Sequence, residues 1–287
     1  MNGTPLQQIQ IGVLLREAVQ IVRQRLYPIA LLTIMAQAVY VGSVLTFQGF
    51  LPDLTKLIGS FSDPSVAFEW LIQNMGRLIV ALFLFSILML ITAWTSLVGT
   101  GAIARFAWEY KRGQKIKALT AYQQTAKIGW SLIWAQSIVW TYYLGGIALV
   151  AGLVAMMGVD LSNVIELKDG SRGVLMLLGT PFLIFAFYMA LRWSFVTYVV
   201  VFEEKRGHAA LVRSWQLTAG NTWRLFVLIL VNIIPPSIVT ILLKSLFPNV
   251  VANTIQWILM IAILPIITIA YFLFYNMACK EVDGKNP

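Results

Sequence analysis

Acid–base, redox or metal chemistry at neutral pH ordinarily needs histidines, cysteines or carboxylates brought together. This 287-residue chain has one histidine, His208, and one cysteine, Cys279. A single imidazole excludes haem held by paired histidines, and a single thiol excludes an internal disulfide and any multi-cysteine zinc or iron–sulfur site. His208, beside Gly207, reads as a solvated loop residue, and Cys279 reads as a buried or interfacial thiol at the end of an apolar run. The twelve acidic residues fall in loops, at the ends of apolar runs or in the tail. None stands near a bilayer midplane, where proton- and sodium-coupled carriers place a carboxylate. No convergent nucleophile, base and metal ligand emerge, so the expectation is no enzyme, no cofactor and no metal site.

The polar residues that remain suggest contact with lipid or a partner. Arg192 is the one basic residue clearly inside an apolar run, eleven residues before Glu203. Either it snorkels to the headgroups, or it faces the bundle and binds a lipid phosphate or a carbonyl at a helix break. The stretch Ala209 to Phe226 reads AALVRSWQLTAGNTWRLF, an amphipathic segment running into a long apolar one. It predicts a helix on the membrane surface that turns down to cross the bilayer. Ala209, Leu211, Val212, Trp215 and Leu217 supply its apolar contacts, Arg213 and Arg224 reach phosphates, and Trp223 anchors the following span. Gly220 ends that helix, and Asn221 or Thr222 caps the next. Prolines 181, 235, 236 and 265 fall inside apolar runs. The pair Pro235 and Pro236, beside Asn232, is expected to kink or interrupt its helix, because proline lacks the donor and clashes with the preceding turn.

Composition says what must position these groups. Apolar residues make up 59% of the chain and charged residues 11%, with a mean hydropathy of +0.79. An ordinary soluble domain carries about a quarter charged residues, so most of this surface faces something other than water. Six runs reach the roughly 20 residues needed to cross hydrocarbon: Pro28 to Phe47, Leu78 to Thr100, Trp130 to Met157, Val174 to Phe202, Trp223 to Phe247 and Thr254 to Met277. They are too long and continuous for porin strands. The fold class is an all-α polytopic membrane protein with six transmembrane helices in three hairpins. An amphipathic helix precedes each hairpin, carried by REAVQIVRQRLYPIALL, AYQQTAKIGWSLIWA and LVRSWQLTAGNTWRLFVLIL.

Lysine and arginine concentrate before the first run, between the second and third, between the fourth and fifth, and in the tail. By the positive-inside rule both termini are cytoplasmic. The net charge of +9 then needs no nucleic acid, since each basic residue attracts anionic lipid by about 1 kcal/mol near the surface. Trp130, Trp134, Trp215 and Trp223 fit a cytoplasmic aromatic belt, and Gly145, Gly146 and Gly152 permit close helix contact. The start, MNGTPLQQIQIG, lacks signal-peptide features, so the first span is expected to act as the targeting signal. Outside, Leu54 to Met75 holds a second amphipathic segment, with Asp63 and Pro64 as a helix start, suited to the outer interface or a partner. The whole chain, 1–287, reads as a single membrane domain with three faint repeat units at 5–104, 105–204 and 205–280.

The pattern RSWQLT.GN.WRLF, with Leu191 to Phe195 (LRWSF) and Glu203 upstream, resembles the bacterial six-helix membrane domain sometimes attached to glycerophosphodiester phosphodiesterases. The opening PLQQIQIG is similar to the start of related stand-alone bacterial proteins. The resemblance implies the six-helix fold and the bacterial plasma (inner) membrane, or another internal bacterial membrane, without chemistry of its own. No soluble phosphodiesterase domain is seen in the chain. The leading expectation is a non-catalytic protein that scaffolds or regulates another membrane component and contacts anionic lipid at the inner leaflet. Two alternatives stand beside it: a carrier or flippase for a lipid-like or amphiphilic small molecule, and a membrane partner of a separate lipid-processing enzyme.

Overall fold

A computed structural model describes residues 11–38, 64–156 and 169–284. Every regular element among the described residues is an α-helix. They are α1 (Ile11–Gln24), α2 (Leu26–Ala38), α3 (Pro64–Lys111), α4 (Ala118–Ala126), α5 (Gly129–Met156), α6 (Asp169–Arg192), α7 (Val196–Glu203), α8 (Gly207–Thr218), α9 (Thr222–Leu246) and α10 (Asn249–Asp283). Five stretches are long and apolar enough to cross a membrane: Phe83–Lys111, Gly129–Leu149, Gly179–Glu203, Thr222–Leu246 and Thr254–Asp283. α2 covers the first part of the expected span Pro28 to Phe47, and the remainder of that span lies outside the described residues.

The chain divides into two compact units. In the unit built from residues 20–38, 64–130 and 259–268, α3 packs on α2 and α4. Gly99 makes the first contact possible, because a Cβ there would lie 2.2 Å from the Cβ of Ala36. Gly129 meets the indole of Trp94 in the same way. At the foot of α3, the Tyr110 hydroxyl donates to Gln24 at 2.6 Å, and Arg25 lies 5.1 Å from the ring centre of Tyr110.

α3 corrects one expectation. Leu54 to Met75 was expected to hold a second amphipathic segment outside, on the outer interface or a partner, and its residues 54–63 lie outside the described part. From Pro64 onward it is continuous with the following span in one helix of 48 residues. Pro64 begins the helix as expected, but Gly76 and Arg77 alone stand between this stretch and the expected span, and one glycine costs about 1 kcal/mol without ending a helix.

The second unit takes residues 11–19, 131–156, 169–258 and 269–284. Along each long helix here, one half is packed and the other faces outward. Leu132, Ala135 and Val139 of α5, Leu225 and Leu228 of α9, and Ile269 to Cys279 of α10 are largely buried. Trp140 to Leu153, Leu183 to Tyr188 and Val231 to Phe247 present large apolar side chains to the outside. Such broad outward apolar surface is stable in hydrocarbon and not in water. The protein is therefore an integral membrane protein, and in this unit the packed core sits at one end of the spans.

Two details differ from the sequence reading. The run Val174 to Phe202 is not one helix, since α6 stops at Arg192 and α7 begins at Val196. α7 is apolar because it is core: Val196, Tyr198, Val199, Val200 and Val201 are buried by protein. Conversely, α9 runs through Asn232, Pro235 and Pro236 without interruption, α6 through Pro181 and α10 through Pro265. The proline pair removes the donors that would reach the carbonyls of Val231 and Asn232. The flanking turns keep theirs, and an open break facing lipid would leave more backbone groups unsatisfied than two lost bonds do.

Candidate functional site, a braced helix break beside an aromatic cleft

The turn from Trp193 to Phe195 strands backbone groups that a continuous helix would pair. α8 supplies the missing partners. The Ser214 hydroxyl donates to the Arg192 carbonyl at 2.8 Å and accepts from the Phe195 amide at 3.2 Å. Thr218 reaches the same carbonyl at 3.4 Å, and Ser194 donates to the Leu191 carbonyl at 2.9 Å. Ser214 and Thr218 are fully buried. α8 is held beside this break by a short link in which Glu204 and Gly207 adopt left-handed backbone, at φ 54 and 52°. Gly207 also lies close to Trp134, where a Cβ would sit a tight 3.0 Å from the indole nitrogen.

Arg192 itself sits on the rim. Its Nε donates to the Tyr188 hydroxyl at 2.9 Å, and its guanidinium carbon lies 4.6 Å from the Trp215 ring centre and 5.2 Å from that of Tyr188. The Trp215 carbonyl lies 3.5 Å from Nη1. Sequence could not name these partners. Beside them opens a cleft of about 380 Å³ lined by Tyr142, Trp193, His208, Leu211, Val212, Trp215 and Gln216. Trp193 packs on Tyr142 and Tyr143 of α5, at 5.3 and 6.1 Å between ring centres. His208 is on the first turn of α8, exposed, and not in a loop.

Arg213 turns the other way. Its Nε donates to both oxygens of Glu203, at 3.0 and 2.9 Å, and its Nη2 pairs with Asp283. Glu203 also receives Lys205 at 2.8 Å, the Tyr275 hydroxyl at 3.0 Å and the Cys279 thiol at 3.9 Å. Burial disfavours the Arg213 charge, but the hydrogen bonds and charges of Asp283 and Glu203 outweigh it and raise its pKa above the ordinary arginine value. This hub ties α7 and α8 to the last turns of α10, over a stack of Phe195, Phe202, Tyr198, Phe272, Phe274 and Tyr275. Arg213 was expected to reach lipid phosphate. The two carboxylates instead hold its side chain at 11% exposure.

The other expected contacts divide. Trp223 is open to the outside and stacks on Phe226, and Trp215 is exposed on the cleft. Arg224 donates to the Asn221 side-chain oxygen at 3.0 Å, and Asn221 donates to Glu281 at 2.8 Å. Asn221 thus stands at the N-cap of α9 without capping it through its side chain, while Gly220 takes the expected positive φ of 82°. Leu217, expected on the lipid side of α8, is buried in the protein, and Leu211, expected there too, is buried except where it lines the cleft. Its outward apolar set is Ala209, Val212 and Trp215. Asn232, Pro235 and Pro236 lie on the outward-facing half of α9.

Cys279 is buried, and no group of three or more metal-binding side chains occurs among the described residues. Residues 168–281 match the family described as the membrane domain of glycerophosphoryl diester phosphodiesterase. That segment contains α6 to α9 and most of α10, and with them Arg192, Glu203, Arg213 and Ser214. The resemblance carried by Leu191 to Phe226 is thereby established, and it is to a membrane domain rather than a catalytic one. No curated protein and no solved structure matches the chain.

Proposed function

We propose that this is a non-catalytic protein of the bacterial inner membrane, or of another internal bacterial membrane, with both termini cytoplasmic. It scaffolds or regulates another membrane component and contacts anionic lipid at the inner leaflet. One observation carries the reading: five polar side chains of the family-matched segment, Glu203, Arg213, Ser214, Thr218 and Asn221, are each engaged by a partner within the protein. Such an arrangement supports a rigid brace, and a brace is what a docking platform requires. Purification from its own membranes in a gentle detergent should bring a stoichiometric membrane-protein partner and anionic lipid, both identified by mass spectrometry. Turnover of a glycerophosphodiester by the purified protein, lost on substituting one of its own residues, would overturn it.

The carrier or flippase reading is favoured by a different observation, the open cleft beside Arg192. Reconstituted vesicles separate the two, because a carrier moves a fluorescent phospholipid between leaflets and a scaffold does not. The third reading, a partner of a separate lipid-processing enzyme, rests on the family's name alone.

A further inference from the structure

Arg192 and Arg213 make opposite use of the same side chain. Arg213 is neutralised by two carboxylates. Arg192 has no acidic partner among the described residues, and its Nη2 donates to no protein acceptor among them. It is held by a ring, a phenol and a carbonyl, which position a guanidinium without cancelling its charge.

Depth gives this charge its meaning. α6 runs 24 residues from Asp169 to Arg192, or about 36 Å at roughly 1.5 Å per residue. Hydrocarbon is about 30 Å thick. The apolar stretch runs on through α7 to Glu203, but α7 is buried by protein, so α6 makes the lipid-facing crossing. With Asp169 at one surface, Arg192 then emerges among the headgroups of the other. Directly beside it, Trp193, Trp215, Leu211 and Val212 offer an apolar, aromatic cleft that no carboxylate lines. A quaternary ammonium suits aromatic faces in general, but here Arg192 already lies against the Trp215 ring and would repel a second cation.

We infer that this cleft holds one anionic phospholipid, with its phosphate on Arg192 and its glycerol and first acyl carbons against Trp193, Trp215, Leu211 and Val212. The inference rests on the lipid contact proposed above and narrows it from a charged surface to one discrete site.

Native mass spectrometry of the full chain in detergent, titrated with phosphatidylglycerol or phosphatidylcholine, tests it. The wild type should retain one phosphatidylglycerol, about tenfold more tightly than phosphatidylcholine. Arg192→Gln should abolish that preference. Val212→Trp, which fills the cleft while leaving Arg192 in place, should weaken retention about tenfold. Arg206→Gln, an exposed charge at the start of α8, should leave it unchanged. Melting curves on each variant identify any that fails to fold, and Arg192→Gln and Val212→Trp act by different means, so one remains informative. Equal losses in Arg206→Gln and Arg192→Gln would overturn the discrete site while leaving general lipid attraction standing. No selective retention by the wild type would overturn both.

Discussion

Replacing Ser214 by alanine isolates the brace at the helix break. The hydroxyl serves two buried backbone groups, the Arg192 carbonyl at 2.8 Å and the Phe195 amide at 3.2 Å, and Ser214 is 0% exposed. Alanine fills nearly the same space, so the change removes hydrogen bonds without opening a cavity larger than an oxygen atom. Each buried group left unpaired costs about 1–3 kcal/mol. The Phe195 amide loses its only partner among the described residues, while the Arg192 carbonyl keeps the longer Thr218 contact at 3.4 Å. The sum is therefore about 1–4 kcal/mol, most of it from the amide. For a chain of this size each kcal/mol shifts the melting midpoint by roughly 2–4 °C, so a fall of about 2 °C or more is expected. The assay is thermal unfolding of detergent-purified protein followed by tryptophan fluorescence at fixed scan rate. Thr141→Ala serves as control, since Thr141 is exposed and donates only to a carbonyl of its own helix. A Ser214→Ala midpoint within about 1 °C of wild type would refute the claim that α8 satisfies the break.

Three further outcomes follow from the same contacts. Glu203→Gln should destabilise by about 2–4 kcal/mol because it leaves Arg213 half-compensated in a buried site, and Glu203→Gln with Arg213→Met should recover part of the loss; simple additivity in the double variant would count against the hub. Gly99→Leu should sharply reduce the yield of folded protein, since even a Cβ would meet Ala36 at 2.2 Å, whereas Gly76→Leu, with nothing near its Cβ, should be tolerated; equal yields would contradict the close contact. In a Cys279→Ser background, Asp169→Cys should be labelled from outside, and Lys115→Cys and Lys205→Cys from the cytoplasm; labelling of Asp169→Cys and Lys115→Cys from one side would defeat the topology.

The spans at Trp130 to Met157 and Trp223 to Phe247 were legible within a residue or so, as Gly129–Met156 and Thr222–Leu246. Their apolar runs exceed what any soluble element needs. The break at Trp193 to Phe195 was not legible, because it contains neither glycine nor proline and is held by a serine nineteen positions away. Nor could hydropathy tell α7 from a lipid-facing segment, since valine packed against protein and valine packed against lipid read alike. Arg213 shows the same limit from the polar side: one of its two carboxylates lies ten residues back and the other seventy ahead. Glu203 stood in the recognised pattern beside Arg213, and that spacing was the one available hint of the hub. Arg192 was singled out by its solitude in an apolar run, a signal that survives because burying a charge there demands a structural reason.

α3 has a mechanical consequence. Its 48 residues make a rod about 72 Å long, more than twice the thickness of the roughly 30 Å oil layer it crosses. A tilt of about 10° about the rod's own midpoint would sweep each end through about 6 Å. Whatever grips one tip of that rod would therefore feel, as a displacement comparable with the pitch of a helix, a lean imposed at the other.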